Sequence, residues 1–299
     1  FPVQNLIIGF STGIGVGVNS LLSKSLGSRD FDRANRAAGN GLILAAICSL
    51  AFMVLGGLFS GLFFQMQSDI PAIVDGGTEY LSICTVFSFG IFGEILFERL
   101  LQATGRTMYT MITQGTGAVV NILLDPVFIF GVPALGIPAM GISGAAIATV
   151  SGQIVAALLA LWFNVKKNPD IHLSWKGLRP EGYIIREIYS VGLPSIIMQS
   201  IGSIMVFGMN KILLGFTATA TAVFGIYFKL QSFVFMPIFG LNSGLIPIAA
   251  YNYGAKKLDR VKEAFFCQFF VCVGYTTAFW ALLMIVPKFF AGIFTNDAA

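Results

Sequence analysis

The chain has 299 residues, of which 56% are hydrophobic and only 11% are charged. Soluble domains carry charge on about 25% of their residues, so this composition excludes an ordinary soluble domain. The mean hydropathy of +0.82 indicates a protein whose surroundings are largely lipid. The net charge of +4 is small, and no array of aromatic and basic residues accompanies it, so we do not expect nucleic-acid binding.

A helix that crosses a bilayer needs about 20 mostly apolar residues. Eight stretches meet this requirement, at residues 2–25, 37–64, 76–103, 107–131, 139–165, 187–215, 219–252 and 262–287. We therefore predict an all-α integral membrane protein, a polytopic helical bundle with about eight transmembrane helices. We expect it in the cell membrane, as a multi-pass protein of a bacterial plasma membrane. The chain begins at Phe1 without a methionine and ends where a further helix is expected, which indicates a fragment.

Basic residues are concentrated in alternate loops. Of the 18 Lys and Arg residues, 15 follow the first, third, fifth and seventh stretches: Lys24, Arg29, Arg33, Arg36, Arg99, Arg106, Lys166, Lys167, Lys176, Arg179, Arg186, Lys256, Lys257, Arg260 and Lys262. Basic loops remain on the cytoplasmic side of a membrane. We therefore predict that the loops with Arg29, Lys176 and Lys257 are cytoplasmic, and that those near Asp69 and Asp297 are external.

The sequence contains an internal repeat. At one constant spacing, an alignment of the chain with itself superimposes Gly13, Gly17, Gly27, Asp32, Arg33 and Ala37 on Gly240, Gly244, Gly254, Asp259, Arg260 and Ala264. Roughly one or two identities would be expected by chance in a window of this size. Six spans separate the two copies, and because this number is even, both copies run in the same direction. We predict a two-lobed bundle with parallel internal repeats.

The longest polar stretch, residues 166–186, contains Pro169 and Pro180. We predict that it is a cytoplasmic linker between an N-terminal lobe at 1–165 and a C-terminal lobe at 187–299. Each copy of the repeat also has glycines four residues apart within a span, which favours a close approach of helix backbones in lipid.

Asp125 is the principal candidate for a functional charge in the membrane. A carboxylate at the bilayer centre costs at least ~2.5 kcal/mol, so it indicates function by default. Asn121 precedes it by one helical turn, and Pro126, which has no amide donor, is expected to break the helix there. Asn121 and Asp125 are expected ~9 to 15 Å below the outer end of their span, and Thr149 at a similar depth. These oxygens suit Na⁺, and a buried carboxylate equally suits a proton. The alternative is a hydrogen bond of Asp125 across a helix interface.

Three further charged residues inside the spans are candidates for a cavity or an ion pair. Glu94 and Glu98 are one turn apart, where like charges repel unless one is protonated or paired. Arg99 and Arg106 are close enough in sequence to neutralise Glu98, so an ion pair and a cavity lining remain alternatives for these acids. Lys229 lies deep in its span and is a candidate for a cavity in the second lobe.

We expect no organic cofactor and no metal beyond Na⁺ at Asp125. The four cysteines, Cys48, Cys84, Cys267 and Cys272, fall within spans with neither a CxxC pair nor a histidine cluster, which favours packing. His172 is the only histidine and lies in a basic loop. We find no Ser/His pair or metal-binding cluster within the spans, so an enzyme is not predicted.

Three stretches of the sequence together resemble the multidrug and toxic compound extrusion (MATE) family of transporters. They are the loop at 27–37 with its copy at 254–264, the run 121–126 (NILLDP) and the run 141–149 (GISGAAIAT). The resemblance extends over essentially the whole chain. It implies a two-lobed antiporter of twelve helices that exports organic, often cationic, compounds in exchange for Na⁺ or H⁺, with this chain covering helices two to nine.

The resemblance also implies a cation site at Asn121, Asp125 and Thr149, completed in family members by an Asp on helix one. The corresponding region of helix seven reads Asn210-Lys211, so coupling is expected in the first lobe only. Because helix one and the last three helices complete the site and the lobe seam, the 299 residues alone are not expected to transport.

We expect a small organic substrate, the lipid bilayer and a monomer. The alternative function is a flippase of lipid-linked oligosaccharides with the same two-lobed architecture. Such flippases have cavities rich in basic residues, whereas this chain offers only Lys229 as a deep base.

Overall fold

The computed structural model describes residues 2–66, 70–133, 136–172, 178–214 and 218–286. Nine α-helices make up most of this described part of the chain. They are α1 (Pro2–Gly27), α2 (Phe31–Gln65), α3 (Pro71–Val86), α4 (Phe89–Ala103), α5 (Thr107–Phe130), α6 (Gly141–Lys167), α7 (Gly182–Leu214), α8 (Ala218–Gly254) and α9 (Leu258–Ile285).

The helical membrane fold is confirmed. Among the described residues, six helices are individually long and apolar enough to cross a bilayer, and α3 with α4 meets the same test as one bent pair. With that pair counted once, eight helical segments correspond to the eight predicted stretches, and seven of them meet this test, because α7 as described does not. Several helices extend beyond their stretch: α2 begins at Phe31, where Asp30 caps it by accepting a hydrogen bond from the Arg33 backbone amide at 3.0 Å.

The span predicted at 76–103 is formed by two helices, α3 and α4, rather than by one straight helix. The chain bends by 45° between α3 and α4. Two hydroxyl groups make additional bonds near this point: Thr85 Oγ1 donates to the Leu81 carbonyl at 2.8 Å, and Ser88 Oγ donates to the Ser49 carbonyl of α2 at 3.1 Å. Side-chain bonds of this kind bend helices.

Helix α1 lies at the centre of the bundle. In the most apolar 18-residue segment of α1, 72% of the residues are buried. The corresponding share is 11% in α5 and 0% in α9. Ile14, Val18 and Leu22 of α1 pack with Phe92 of α4 and Ile188 of α7 in the largest apolar cluster. The peripheral helices expose large apolar side chains, as expected where lipid replaces water as the solvent.

The internal repeat has the same backbone geometry in both copies. Arg29 and Lys256 are equivalent positions of the repeat, and each has a positive φ, 61° and 59° respectively. In the α1–α2 corner the Asp30 amide donates to the Ser25 carbonyl at 2.9 Å. The equivalent bond of the α8–α9 corner, from Lys257 to Asn252, is also 2.9 Å long. The duplicated corner is therefore present in the fold.

The repeated glycine pair behaves differently in the two copies. A Cβ on Gly13 would meet the Gly192 carbonyl oxygen of α7 at 2.9 Å, so α1 does approach a neighbour closely. At Gly240 and Gly244 a Cβ would meet no described atom within 4 Å. The predicted close approach is therefore not seen at the second copy within the described residues, because the space in front of both glycines is open.

The four basic loops lie at one face of the molecule. Arg33 donates to Glu187 Oε1 at 2.7 Å, which joins the start of α2 to the start of α7. Arg106 Nη1 contacts Asp170 Oδ2 at 2.6 Å, which joins the α4–α5 loop to the segment after α6. The α1–α2 and α8–α9 corners touch each other directly. We call this end the basic face.

The sidedness of the basic face stays a prediction. Lys176, Asp69 and Asp297, which the topology prediction also named, lie outside the described residues. The proposed lobe and linker boundaries likewise stay predictions, although α6 ends at Lys167 and α7 begins at Gly182.

Candidate functional site

A close approach of α5 and α6 determines the geometry of the predicted cation site. A Cβ on Gly117 would lie 3.1 Å from the Gly152 carbonyl oxygen, and a Cβ on Gly152 would lie 2.7 Å from the Gly117 carbonyl oxygen. Backbones can approach this closely only where side chains are absent. One turn beyond each glycine toward the same end of the helix pair lie Asn121 on α5 and Thr149 on α6.

Asn121, Asp125 and Thr149 are brought together. Asn121 Nδ2 lies 3.4 Å from Asp125 Oδ1 and 3.5 Å from Thr149 Oγ1, at the long limit of hydrogen bonding. Thr149 Oγ1 itself donates to the Ala145 carbonyl at 2.9 Å. The structure thus places a carboxylate, an amide and a hydroxyl around one point between two membrane helices.

Pro126 was predicted to break its helix, and this prediction is wrong. Helix α5 continues through it to Phe130. The proline removes its own amide donor, but one missing bond leaves the helix intact because the helical bonds on either side are retained.

A cavity of about 400 Å³ lies beside this cluster, between α1, α4, α5 and α6. Both Asn121 and Thr149 line it, whereas Asp125 lies one turn further along α5 and is not part of its wall. The full described lining consists of Ile8, Ile91, Glu94, Ile95, Glu98, Gln114, Gly117, Ala118, Asn121, Thr149, Gly152 and Gln153. Polar groups therefore occupy the α4, α5 and α6 sides of the cavity, and apolar side chains the rest.

Glu94 and Glu98 both face this cavity from α4. Glu98 is only 3% exposed, and neutral donors surround its carboxylate. Thr113 Oγ1 lies 2.8 Å from Glu98 Oε1, and Gln114 Nε2 lies 2.9 Å from Glu98 Oε2. The α4 carboxylate is thereby held in one orientation against α5.

The arginines considered as partners of Glu98 bond elsewhere in the described structure. Arg99 Nη1 donates to Gln102 Oε1 at 2.8 Å, while Arg106 is paired with Asp170. The described ion pairs include none with Glu98. The geometry therefore shows Glu98 as a cavity residue.

The second-lobe candidate falls outside what the structure describes. Lys229 lies on α8, and Asn210 and Lys211 lie on α7, but their side chains are outside the described set.

Three polar residues of the site were missed in the sequence. Gln114 lies two turns before Asn121 on α5, and Gln153 lies one turn after Thr149 on α6. A search for polar residues at spacings of three, four and seven from the predicted site would have found both. Thr113, which contacts Glu98, has no such spacing, and only the packing of α4 on α5 identifies it.

The chemistry available here is the binding of a hard cation or a proton. Carboxylate, amide and hydroxyl oxygens suit Na⁺, whereas transition metals favour nitrogen and sulfur ligands. Among the described residues no group of three or more His, Cys, Asp or Glu side chains could hold a metal ion. The adjoining cavity has two acidic side chains and no Lys or Arg in its described lining.

Similar solved structures share this fold over nearly the whole chain. A solved structure of a MOP superfamily transporter from Pyrococcus furiosus, described as having a binding pocket of reverse polarity, is 25% identical. Its TM-score is 0.91, and the match covers 100% of this chain and 65% of that one. A structure described as an outward-facing multidrug resistance MATE family transporter is 26% identical, with a TM-score of 0.90 over 99% of this chain and 65% of that one.

Curated relatives are similar at the same level. The multidrug export protein MepA of Staphylococcus aureus is 26% identical over 100% of this chain and 64% of its own length. MepA of Staphylococcus saprophyticus has the same identity and coverage. The chain therefore spans 64% of the length of these relatives.

A family model described as MatE matches residues 1–127 and 194–299, which is well over half of the chain. The matched segments include α1 to α4, most of α5 with Asn121 and Asp125, and the whole of α8 and α9. Together with the helical membrane fold and the shared architecture of the solved transporters, this match shows that the chain belongs to the MatE family.

Proposed function

We propose that this chain is the greater part of a cation-coupled exporter of organic compounds that works by alternating access as a monomer. The observation that supports this function best is the cluster of Asn121, Asp125 and Thr149 inside a membrane bundle, beside a cavity of about 400 Å³. Such a polar group is costly in lipid and indicates an ion pathway. The relatives described as multidrug exporters point to the same class of substrate.

The coupling follows from charge. With the cavity open to water, Na⁺ or H⁺ binds at Asp125 and neutralises it, with Asn121 and Thr149 as neutral oxygen partners. Neutralisation lowers the cost of excluding water from the site and shifts the equilibrium toward the state that releases the organic substrate. Substrate and cation then exchange by linkage, because each favours a different state.

The substrate is expected to be cationic. Glu94 and Glu98 are the two acidic side chains of the cavity wall, and the described lining contains no basic residue. A polyanionic lipid-linked oligosaccharide would need the opposite charge, so the cavity favours the exporter over the flippase.

The test uses the full-length transporter in cells that lack other exporters. We expect these cells to retain less of a fluorescent organic cation than cells with an empty vector. Reconstituted vesicles are then tested for movement of a labelled lipid-linked oligosaccharide, which we expect to be absent. Movement of the lipid without export of the dye would contradict the exporter function and support the flippase function.

A further inference from the structure

The outer side of α6 is apolar where the helix approaches the basic face. Val155, Leu158, Trp162 and Val165 follow one another at spacings of three and four residues, which places them on one side of the helix. All four are exposed. The opposite side of the helix is buried in the bundle, through Ala156, Ala157, Ala160 and Phe163. We call the four exposed residues the α6 stripe, and in a membrane this stripe faces lipid.

The α6 stripe has the length of one lipid chain in a single leaflet. Val155 and Val165 are ten residues apart, which is ~15 Å along a helix. A hydrocarbon core of ~30 Å gives each leaflet the same depth. An acyl chain beside α6 can therefore contact the stripe over its whole length.

An aromatic group lies at the basic end of the stripe. Trp162 is 49% exposed, and its ring centre lies 5.0 Å from that of Phe163. Phe163 in turn stacks on Tyr109 of α5, with ring centres 4.4 Å apart. Tryptophan favours the boundary between hydrocarbon and headgroups, because its indole is apolar but has one N–H donor. Trp162 therefore marks the depth at which the headgroups begin.

Two uncompensated positive charges follow at the end of α6. Lys166 lies one turn beyond Trp162 on the same side, and Lys167 is the last residue of the helix; both are exposed. The described ion pairs include neither lysine. The neighbouring Arg106 and Asp170 pair with each other at 2.6 Å, so this acid does not neutralise the lysines. The partial negative charge of a helix C-terminus, about half a unit, offsets only part of the two positive charges.

We propose that this end of α6 binds one anionic phospholipid of the leaflet at the basic face. The phosphate lies at Lys166, with the charge of Lys167 beside it, and one acyl chain follows the α6 stripe. A soluble phosphate compound would match only the lysines, and a neutral phospholipid would match only the stripe. An anionic phospholipid matches both. The site lies outside the cavity and does not depend on the transported compound.

Trp162 can report which lipid lies beside it. In the full-length transporter all other tryptophans are replaced by Phe, including Trp175 and Trp280. The protein is placed in phosphatidylcholine vesicles with an equal small fraction of either brominated phosphatidylglycerol or brominated phosphatidylcholine. Bromine quenches an indole that it contacts. We expect phosphatidylglycerol to occupy the position beside Trp162 with an at least ~5-fold preference, the gain that one lysine supplies near an anionic lipid.

Lys166→Gln should remove most of this preference, because it removes the charge at the phosphate. Lys262→Gln on α9 is the matched control, since it also removes one exposed lysine of the basic face and should leave the preference unchanged. Equal quenching by the two lipids in the protein with both lysines would overturn the site. A preference that survives Lys166→Gln, or one that both substitutions remove, would overturn it as well.

Inorganic phosphate separates a lipid site from a site for a soluble anion. An excess of inorganic phosphate should weaken the preference no more than chloride does at the same ionic strength, because free phosphate has no chain to lie along the stripe. If phosphate removed the preference and chloride did not, the lysines would bind phosphate itself and the lipid assignment would fail.

Discussion

At the scale of single residues, the orientation of Glu98 depends on neutral donors. Its carboxylate is almost fully buried, and Thr113 and Gln114 of α5 contact its two oxygens. A buried acceptor that loses a donor retains its desolvation cost, so each of these contacts contributes to stability. The same contacts connect α4 to α5 beside the cavity.

Thr113→Val tests this contact. The substitution keeps the shape but removes the hydroxyl, so we expect a loss of about 1 kcal/mol in the free energy of unfolding. Thr116→Val on the same helix is the control, because the exposed Thr116 hydroxyl bonds only to the Ile112 carbonyl of its own helix. Thermal unfolding in detergent compares the two variants. Equal midpoints would show that the Glu98 contact adds nothing measurable.

The sequence predicted some residue contacts and could not predict others. Asn121 and Thr149 were expected at one depth, and they lie 3.5 Å apart. The partners of Glu98 were not predictable from neighbours in sequence, because Thr113 is 15 residues away and reaches it only through the packing of α4 on α5. The roles of these residues in coupling stay predictions.

At the scale of helices, the α5–α6 pair determines where the oxygen groups lie. Gly117 and Gly152 let the two backbones touch, and Asn121 and Thr149 follow from that contact. The helix bounds were largely predictable from hydropathy. The bend between α3 and α4 was not, because no proline marks it and the bond from Ser88 to the Ser49 carbonyl is a tertiary contact.

Gly152→Ala should separate α5 from α6. Its Cβ would lie 2.7 Å from the Gly117 carbonyl oxygen and 3.2 Å from Asn121 Cβ. We expect a loss of about 1–3 kcal/mol in stability, as overpacking produces, together with weaker efflux. Gly115→Ala on α5 is the control, since a Cβ there would meet no described atom within 4 Å. Measured by unfolding in detergent and by dye efflux, a Gly152→Ala protein as stable and active as Gly115→Ala would contradict the role of this contact.

At the scale of the whole molecule, the repeat was predictable but its consequence was not. Six identities at one constant spacing revealed two copies in the same direction. That Gly27 and Gly254 meet depends on the position of the axis between the copies, which a sequence does not contain. For the same reason, the glycines at 240 and 244 were assigned a close contact that the described residues do not show.

The orientation in the membrane is tested by labelling. Because 15 of the 18 basic residues follow the first, third, fifth and seventh predicted stretches, we expect the basic face to be cytoplasmic. Cysteines introduced at Arg29 or Lys257 should therefore react with an impermeant reagent only after the membrane is opened. Both positions are exposed at the basic face, so burial does not protect them. The measurement uses the full-length protein in intact cells. Labelling of either site from outside would invert the topology.

Coupling through Asp125 is tested most directly in vesicles with the full-length transporter and imposed gradients of Na⁺ or H⁺. We expect one of the two gradients to accelerate efflux of a fluorescent organic cation at least ~10-fold, equivalent to about 1.4 kcal/mol. Asp125→Asn should abolish this acceleration at equal protein abundance, because it keeps the shape and removes the charge. Glu98→Gln should have a smaller effect. An Asp125→Asn protein that exports at the unsubstituted rate with the same response to the gradient would contradict the assignment and leave Asp125 as a packing residue.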